Sequence, residues 1–255
     1  MASITILTPV HINAAERWNY LEQTFESFYR CNQSPVNIIH NMVDDRSPMR
    51  SEDLPGFCRQ HKINLLKQFR DGEHRGYFDV FKTLVDSVQT EQFIYLEPDH
   101  YFYLAADFIG PALKMHAMLP DLHQVYLRAP LVHQPFRRDG NQLITHDGSR
   151  LHRIRIDKEN TGWIGSGRTH ESFSFMPSVF NTAIMKKLLA DSFIPGGPSA
   201  VEDHFAALWA HKALVGYLNG QAFCYHIGAV AKSAPGGYLS IGDTAYEKAW
   251  SSKQL

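Results

Sequence analysis

The sequence predicts an α/β fold: a mostly parallel central sheet flanked by helices, with a β-rich insertion in the second half. Three observations predict it. β-prone runs alternate with helical stripes along the first part of the chain, two of those runs end in clusters of acidic residues, and the stretch from Gln124 to Asp157 has the pattern of a hairpin. Strands alternating with helices indicate a parallel sheet with helices on its faces, and such sheets bind ligands at the carboxyl ends of their strands.

The elements follow in order. Ser3 to Val10 alternates around Ile4, Ile6 and Thr8 and meets Pro9, a strand running into a loop. Asn13 and Glu16 have the spacing of a capping box, and Trp18, Leu21, Phe25 and Phe28 then repeat on one helical face to about Cys31. VNIIHNMVDDRSP is a β-prone run ending in a polar turn, and GYFDVFKTLVDSV carries Tyr77, Phe81, Leu84, Val85 and Val88 on a helical stripe. FIYLEPDHYF starts as a buried strand yet ends in Glu97, Pro98, Asp99 and His100. Charged groups are rarely buried unless paired or bound to a metal, so this strand is expected to open into a site. Further on, QVYLRAPLVHQPFRRDG, a polar turn at THDGS and LHRIRID suggest a β-hairpin or β-rich insertion. Glycines recur in TGWIGSG and IPGGPSA, where unusual backbone conformations near a bound molecule are expected.

A formal net charge of −1 gives no global reason to expect nucleic acid or a membrane as partner. Cys31, Cys58 and Cys224 are odd in number and lack the spacing of a zinc site or a disulfide framework, which points to a reducing, cytoplasmic setting. No apolar run reaches the roughly 18 residues of a membrane-spanning helix, so no integral membrane segment is expected. No low-complexity linker divides residues 1–255, which are read as one domain.

The order of these pieces resembles the nucleotide-sugar-dependent glycosyltransferases of the GT-A fold, family 2 in particular, over most of the chain. SITILTPVHIN looks like that family's first strand and turn, VNIIHNMVDDRSP like its second strand and acidic turn, and GEHRGYFDVFKT like its loop and following helix. FIYLEPDHYF takes the place of its Asp-x-Asp motif, and VEDHFAALWA resembles the helix with its Glu-Asp pair. The resemblance implies a nucleotide-sugar-binding half at residues 1–104 and an acceptor-binding, catalytic half at 105–255. It also implies Mn²⁺ or Mg²⁺ as cofactor and inversion in one displacement.

Residue by residue, the resemblance makes Asp99 the principal metal ligand, with His226 of FCYHIGAVAKS completing the site. Both metals prefer oxygen donors, which suits the carboxylate. Glu97 takes the motif's first carboxylate position, contacting ribose or a metal-bound water, although it is one methylene longer than the usual aspartate. His100 is either a further ligand or a structural histidine, and His226 can equally be a hydrogen-bonded histidine at a strand end. Asp44 and Asp45 lie where the family reads base and ribose, and an acidic acceptor suits the uracil imide, giving uridine diphosphate as the default carrier. The alternative for this pair is an Asx turn. Thr8 and Pro9 shape the first loop, and Arg75 and Gly76 face the diphosphate, or Arg75 is a solvated helix-end arginine.

Ser199 and Glu202 have capping-box spacing, which gives Glu202 a structural duty beside its implied place on the acceptor side. Asp203 is then the general base that takes the acceptor hydroxyl's proton. Trp163, with Gly165 beside it, offers either a stacking face for the acceptor or a core tryptophan. The acceptor itself stays open between a glycan, a lipid-linked sugar and a hydroxylated base in DNA. Arg137, Arg138, Arg150, Arg153 and Arg155 suit a phosphate-rich partner but are equally a solvated strand face. Two competing readings keep the fold and change the chemistry: a noncatalytic nucleotide-sugar or glycan-binding module, and a hydrolase of the nucleotide sugar.

Overall fold

β1 (Ser3–Val10) is buried along nearly its whole length, so it is not the half-exposed strand that its alternation suggests. The reason is its central position: in the computed structural model it pairs in parallel with β2 (Asn37–Asp44) on one side and β4 (Gln92–Tyr95) on the other. Residues 2–73, 76–127, 137–138, 143–144, 150–155, 173–190, 192–209, 214–218 and 223–227 are described.

Between β1 and β2 runs α1 (Ala15–Cys31), which buries Trp18, Leu21, Phe25 and Phe28 as its stripe predicts. The expected capping box does not form, because Ala14 is the N-cap and no side chain bonds there. A unit that periodicity did not reveal follows β2: α2 (Leu54–His61) and the edge strand β3 (Asn64–Gln68), parallel to β2. α2 is only two turns long and carries proline in its first turn, while β3 is largely exposed, so neither shows a strong apolar pattern. α3 (Tyr77–Asp86) leads into β4, and β5 (His100–Phe102) leaves the sheet beyond it.

The second half adds α4 (Ile109–Met118), β6 (Gln124–Tyr126), β7 (Arg137–Arg138), β8 (Leu143–Ile144) and β9 (Arg150–Arg155). It continues with β10 (Ser178–Asn181), α5 (Thr182–Ala190), α6 (Pro198–Trp209), β11 (Leu214–Tyr217) and β12 (Cys224–His226). The sheet order is β3-β2-β1-β4-β10-β6-β11-β9-β7, with β8 on β9. β3, β2, β1, β4, β6 and β11 point one way and β10 runs against them, which makes the central sheet mostly parallel. β8 and β9, which lie on either side of THDGS in the sequence, pair antiparallel, as strands of a hairpin do.

Successive side chains on the central strands face opposite layers. Leu7, Phe93, Tyr95 and Phe180 pack under α3, α5 and α6, whereas Ile4, Ile6, Ile94 and Val179 pack against α4 and the end of α1. The first layer is unusually aromatic: Phe81, Tyr95, Phe173 and Phe175 meet edge-on or tilted at 4.8–5.6 Å. Such contacts add about 0.5–1.5 kcal/mol each beyond burial, which stiffens the floor on which Tyr77 and Tyr95 stand.

Candidate active site

The carboxyl ends of β1, β2 and β4 surround a cavity of about 250 Å³, lined by Pro9, His11, Asp45, Tyr77, Glu97 and Asp99 among others. Its walls are knitted together by the backbone. Asp45 N donates to Val10 O (2.7 Å), His11 Nδ1 to the Asp45 carbonyl (2.5 Å), and Ile12 N to Ser47 Oγ (2.8 Å). The loops after β1 and β2 therefore form one unit.

Asp44 and Asp45, adjacent in sequence, do different things. Asp44 is 1 % exposed, and its carboxylate accepts from Ser47 N (2.9 Å) and Ser51 Oγ (2.9 Å), with Gln68 Nε2 at 3.4 Å. It is the Asx turn that the sequence allowed. Asp45 lines the cavity and meets Arg46 Nε at 3.3 Å. Thr8 points away from the cavity toward α1, where its hydroxyl meets His40 Nε2 at 3.0 Å, while Pro9 lines the cavity.

β4 extends one residue past Tyr95 through Leu96 N to Leu7 O (2.9 Å), and then Glu97, Pro98 and Asp99 turn the chain into β5. α1 receives the ribbon: Thr24 Oγ1 accepts from His100 N (3.1 Å) and Ser27 Oγ from Phe102 N (3.0 Å). These two buried hydroxyls satisfy N–H groups that would otherwise be unpaired in the interior. The other edge pairs antiparallel with β12, with His100 opposite His226, and Ile227 N donates to Asp99 O (2.8 Å). Topology thus brings His226, distant in sequence, to Asp99.

The result is a carboxylate between two imidazoles. Asp99 Oδ2 lies 3.2 Å from His226 Nε2 and 2.9 Å from Arg17 Nη1, and Oδ1 lies 3.3 Å from His100 Nδ1. One donor atom from each of Asp99, His100 and His226 falls within 4.8 Å of the others. His100 is fully buried. A carboxylate with two imidazoles at this spacing is a donor set that could hold a divalent cation.

Electrostatics separate the two carboxyls of the motif. Burial pushes the Asp99 carboxyl upward, but contact with His100 and His226 outweighs it and holds the group well below its usual range. Desolvation, then Asp99 and Glu202, drive Glu97 well above its usual range against the opposing pull of Arg17. Burial, then Glu97, Asp45, Glu202 and Asp99, likewise raise the Tyr77 phenol. Of the two, Asp99 is the more readily ionised and Glu97 the more readily protonated. The Tyr77 and Tyr95 hydroxyls hydrogen-bond beneath them.

Gly76 stands at the mouth of α3 in an isolated bridge with Gly196, and Tyr77 N donates to Gly196 O (3.0 Å). A Cβ on Gly76 would lie 2.8 Å from that oxygen, so glycine is needed for the loop before α6 to come this close. That loop delivers Pro198 to the cavity wall. α6 starts at Pro198, which puts Ser199 inside the helix and removes the expected capping box. Glu202 instead accepts from Ser174 Oγ (2.8 Å) and Phe175 N (2.9 Å), tying α6 to the segment before β10. Asp203 is half-buried in the second turn of α6, beyond the first-turn reach of the helix-terminal field. Arg75, Trp163 and Gly165 lie outside the described residues. Arg17, His11 and Tyr77 also line the cavity without a functional signal in the sequence: Arg17 reads as a polar helix position and Tyr77 as part of an apolar stripe.

No protein-family model and no curated protein matches this sequence. Solved structures do match. S. aureus TarS 1-349 in complex with UDP-GlcNAc is 14% identical, with a TM-score of 0.57 over 94% of this chain and 61% of that one. S. aureus TarS 1-349 without a named ligand gives 14% and 0.55 over 89% and 60%. GalNAc-T7 with UDP, GalNAc and Mn²⁺ gives 11% and 0.53 over 89% and 44%. The chain thus spans less than two thirds of each of these relatives. These neighbours are GT-A glycosyltransferases, and the fold of this chain is the GT-A fold.

Proposed function

We propose that this chain is an inverting, metal-dependent glycosyltransferase that moves a sugar from a nucleoside diphosphate, with uridine diphosphate as carrier, to an acceptor hydroxyl. One observation carries the reading: Asp99, flanked by His100 and His226, faces a cavity at the carboxyl ends of a parallel sheet. Similar structures in complex with UDP-GlcNAc, or with UDP, GalNAc and Mn²⁺, support it.

In this reading Asp99 and His226, with His100 behind them, hold Mn²⁺ or Mg²⁺. When bound, a divalent cation supplies charge stabilisation to the departing diphosphate. Asp45 accepts from the base or ribose, with Asp44 fixing the turn that presents it and Pro9 closing the loop. Thr8 acts from the far side of β1 by anchoring that strand to His40. Glu97, protonated, donates to a ribose or phosphate oxygen instead of competing with Asp99 for the cation. Gly76 keeps the α6 loop against the cavity, and Arg75 faces the diphosphate.

Asp203 takes the proton of the acceptor hydroxyl as that oxygen attacks the anomeric carbon and the diphosphate departs, and Glu202, Trp163 and Gly165 bind the acceptor. Residues 1–104 then bind the donor, and residues 105–255 contribute the acceptor side, the base and His226. The acceptor is a glycan, a lipid-linked sugar or a hydroxylated base in DNA.

Calorimetric titration with uridine diphosphate, with and without Mn²⁺, tests the reading. Binding that requires Mn²⁺ is expected; equal binding without it, or none in either condition, rejects it. The anomeric configuration of the product by NMR then tests inversion.

A further inference from the structure

We propose that Arg17 is a built-in substitute for the metal: it neutralises Asp99 when no cation is present and passes to the donor's diphosphate when the cation takes Asp99. The inference rests on the donor and cation assigned above.

Three observations carry it. Arg17 Nη1 sits 2.9 Å from Asp99 Oδ2, the same oxygen that lies 3.2 Å from His226 Nε2. A cation held between Asp99 and His226 needs that oxygen, and a guanidinium and a divalent cation repel each other too strongly at contact distance to share it. Second, the Arg17 side chain is 38 % exposed, and among the described residues its guanidinium makes no other hydrogen bond. Leaving Asp99 therefore breaks one contact and frees a side chain already at the cavity wall.

Third, the cavity is lined by Asp45, Glu97 and Asp99, and Arg17 is the one lysine or arginine among its described lining residues. A diphosphate entering beside the Asp45 and Asp99 carboxylates gains from a cationic partner, and a guanidinium grips phosphate oxygens in a bidentate manner.

The consequence is coupling. Cation alone must displace Arg17 with nothing to receive it, and nucleotide alone must draw Arg17 from an ionised Asp99. Bound together, each removes the other's obstacle, and by linkage each tightens the other by the same factor.

Mn²⁺ binding without nucleotide, followed by electron paramagnetic resonance, and uridine diphosphate binding in saturating Mn²⁺ are measured for the wild type, Arg17→Gln and Arg17→Lys, with thermal melts to establish folding. Arg17→Gln is expected to bind Mn²⁺ alone roughly tenfold more tightly and uridine diphosphate roughly tenfold more weakly, the scale of one charge-assisted hydrogen bond. Arg17→Lys keeps the charge, so its Mn²⁺-alone affinity stays near wild type. Mn²⁺-alone affinity unchanged or weakened in Arg17→Gln overturns the proposal, because an arginine that only props Asp99 in place lowers both affinities. If wild type binds Mn²⁺ with nucleotide normally and only the opposed shifts are missing, Arg17 alone loses its role. If neither protein binds Mn²⁺ in any condition, the cation assignment falls and this inference with it.

Discussion

β2 and β4 flank β1 on either side, and both lead into acidic turns, yet the two turns are built for different work. At the end of β2, Asp44 is surrounded by donors from its own turn and the neighbouring strand: Ser47 N, Ser51 Oγ and Gln68 Nε2. Beyond β4, the Asp99 carboxylate meets the side chains of Arg17, His100 and His226 rather than donors of its own turn. Equal acidity in the sequence thus conceals unequal capacity. A carboxylate filled by turn donors holds the backbone, and one ringed by imidazoles keeps lone pairs available for a ligand.

The comparison breaks most sharply with a third carboxylate that belongs to neither turn. Asp203→Asn should reduce transfer by about 10² to 10⁴ while leaving Mn²⁺-supported uridine diphosphate binding and the melting temperature near wild type. Steady-state transfer beside calorimetry checks it, and unchanged turnover would remove Asp203 as the base.

Next in size, Asp99→Ala should weaken Mn²⁺-supported uridine diphosphate binding by at least about tenfold, the loss that even outer partners of a metal ligand cause. Titration in Mn²⁺ and in chelator reads it directly; a variant that keeps its metal dependence would move the cation site elsewhere.

Asp44→Ala should register in stability instead. Leaving the Ser47 N–H and its neighbours without an acceptor costs about 1–3 kcal/mol in urea unfolding. Turnover per folded molecule should persist. If Asp44→Ala instead abolishes nucleotide binding without loss of stability, the contrast between the two strand ends is wrong.

A further effect concerns histidines away from the cavity. His40 on β2 stacks on Phe25 at 4.7 Å and meets Thr8 and Tyr29 hydroxyls at 3.0 Å. Burial, and secondarily His61, lower its pKa from 6.5 to about 3. Burial also lowers His116 to about 4. Below pH 6.5 the unfolded chain binds protons that these folded imidazoles refuse. Their contribution is therefore complete above about pH 6.5 and is lost as pH falls, by up to about 1.4 kcal/mol per pH unit for each. Urea unfolding from pH 7 to pH 5 should show the decline, and a flat profile would mean that the imidazoles are accessible to water.

Apolar periodicity determined a good deal by itself. Trp18, Leu21, Phe25 and Phe28 define α1, Tyr77, Phe81, Leu84 and Val85 define α3, and the runs into VDD and EPDH mark the strands whose ends surround the cavity. These are local signals, because one amphipathic face or one buried strand is written in consecutive residues. The two-turn α2 and the edge strand β3 escaped for the same reason: they bury too little to pattern their sequence. The expected caps at Asn13 and Ser199 failed because the helices begin at Ala15 and Pro198 instead. Only the tertiary structure decided which carboxylate was already satisfied, that β12 lies beside β5 and brings His226 to Asp99, and that Arg17 turns from a helix surface into the cavity. Hydrogen-bond saturation and ion pairing depend on partners distant in the chain, and no local pattern encodes a contact between residue 17 or 226 and residue 99.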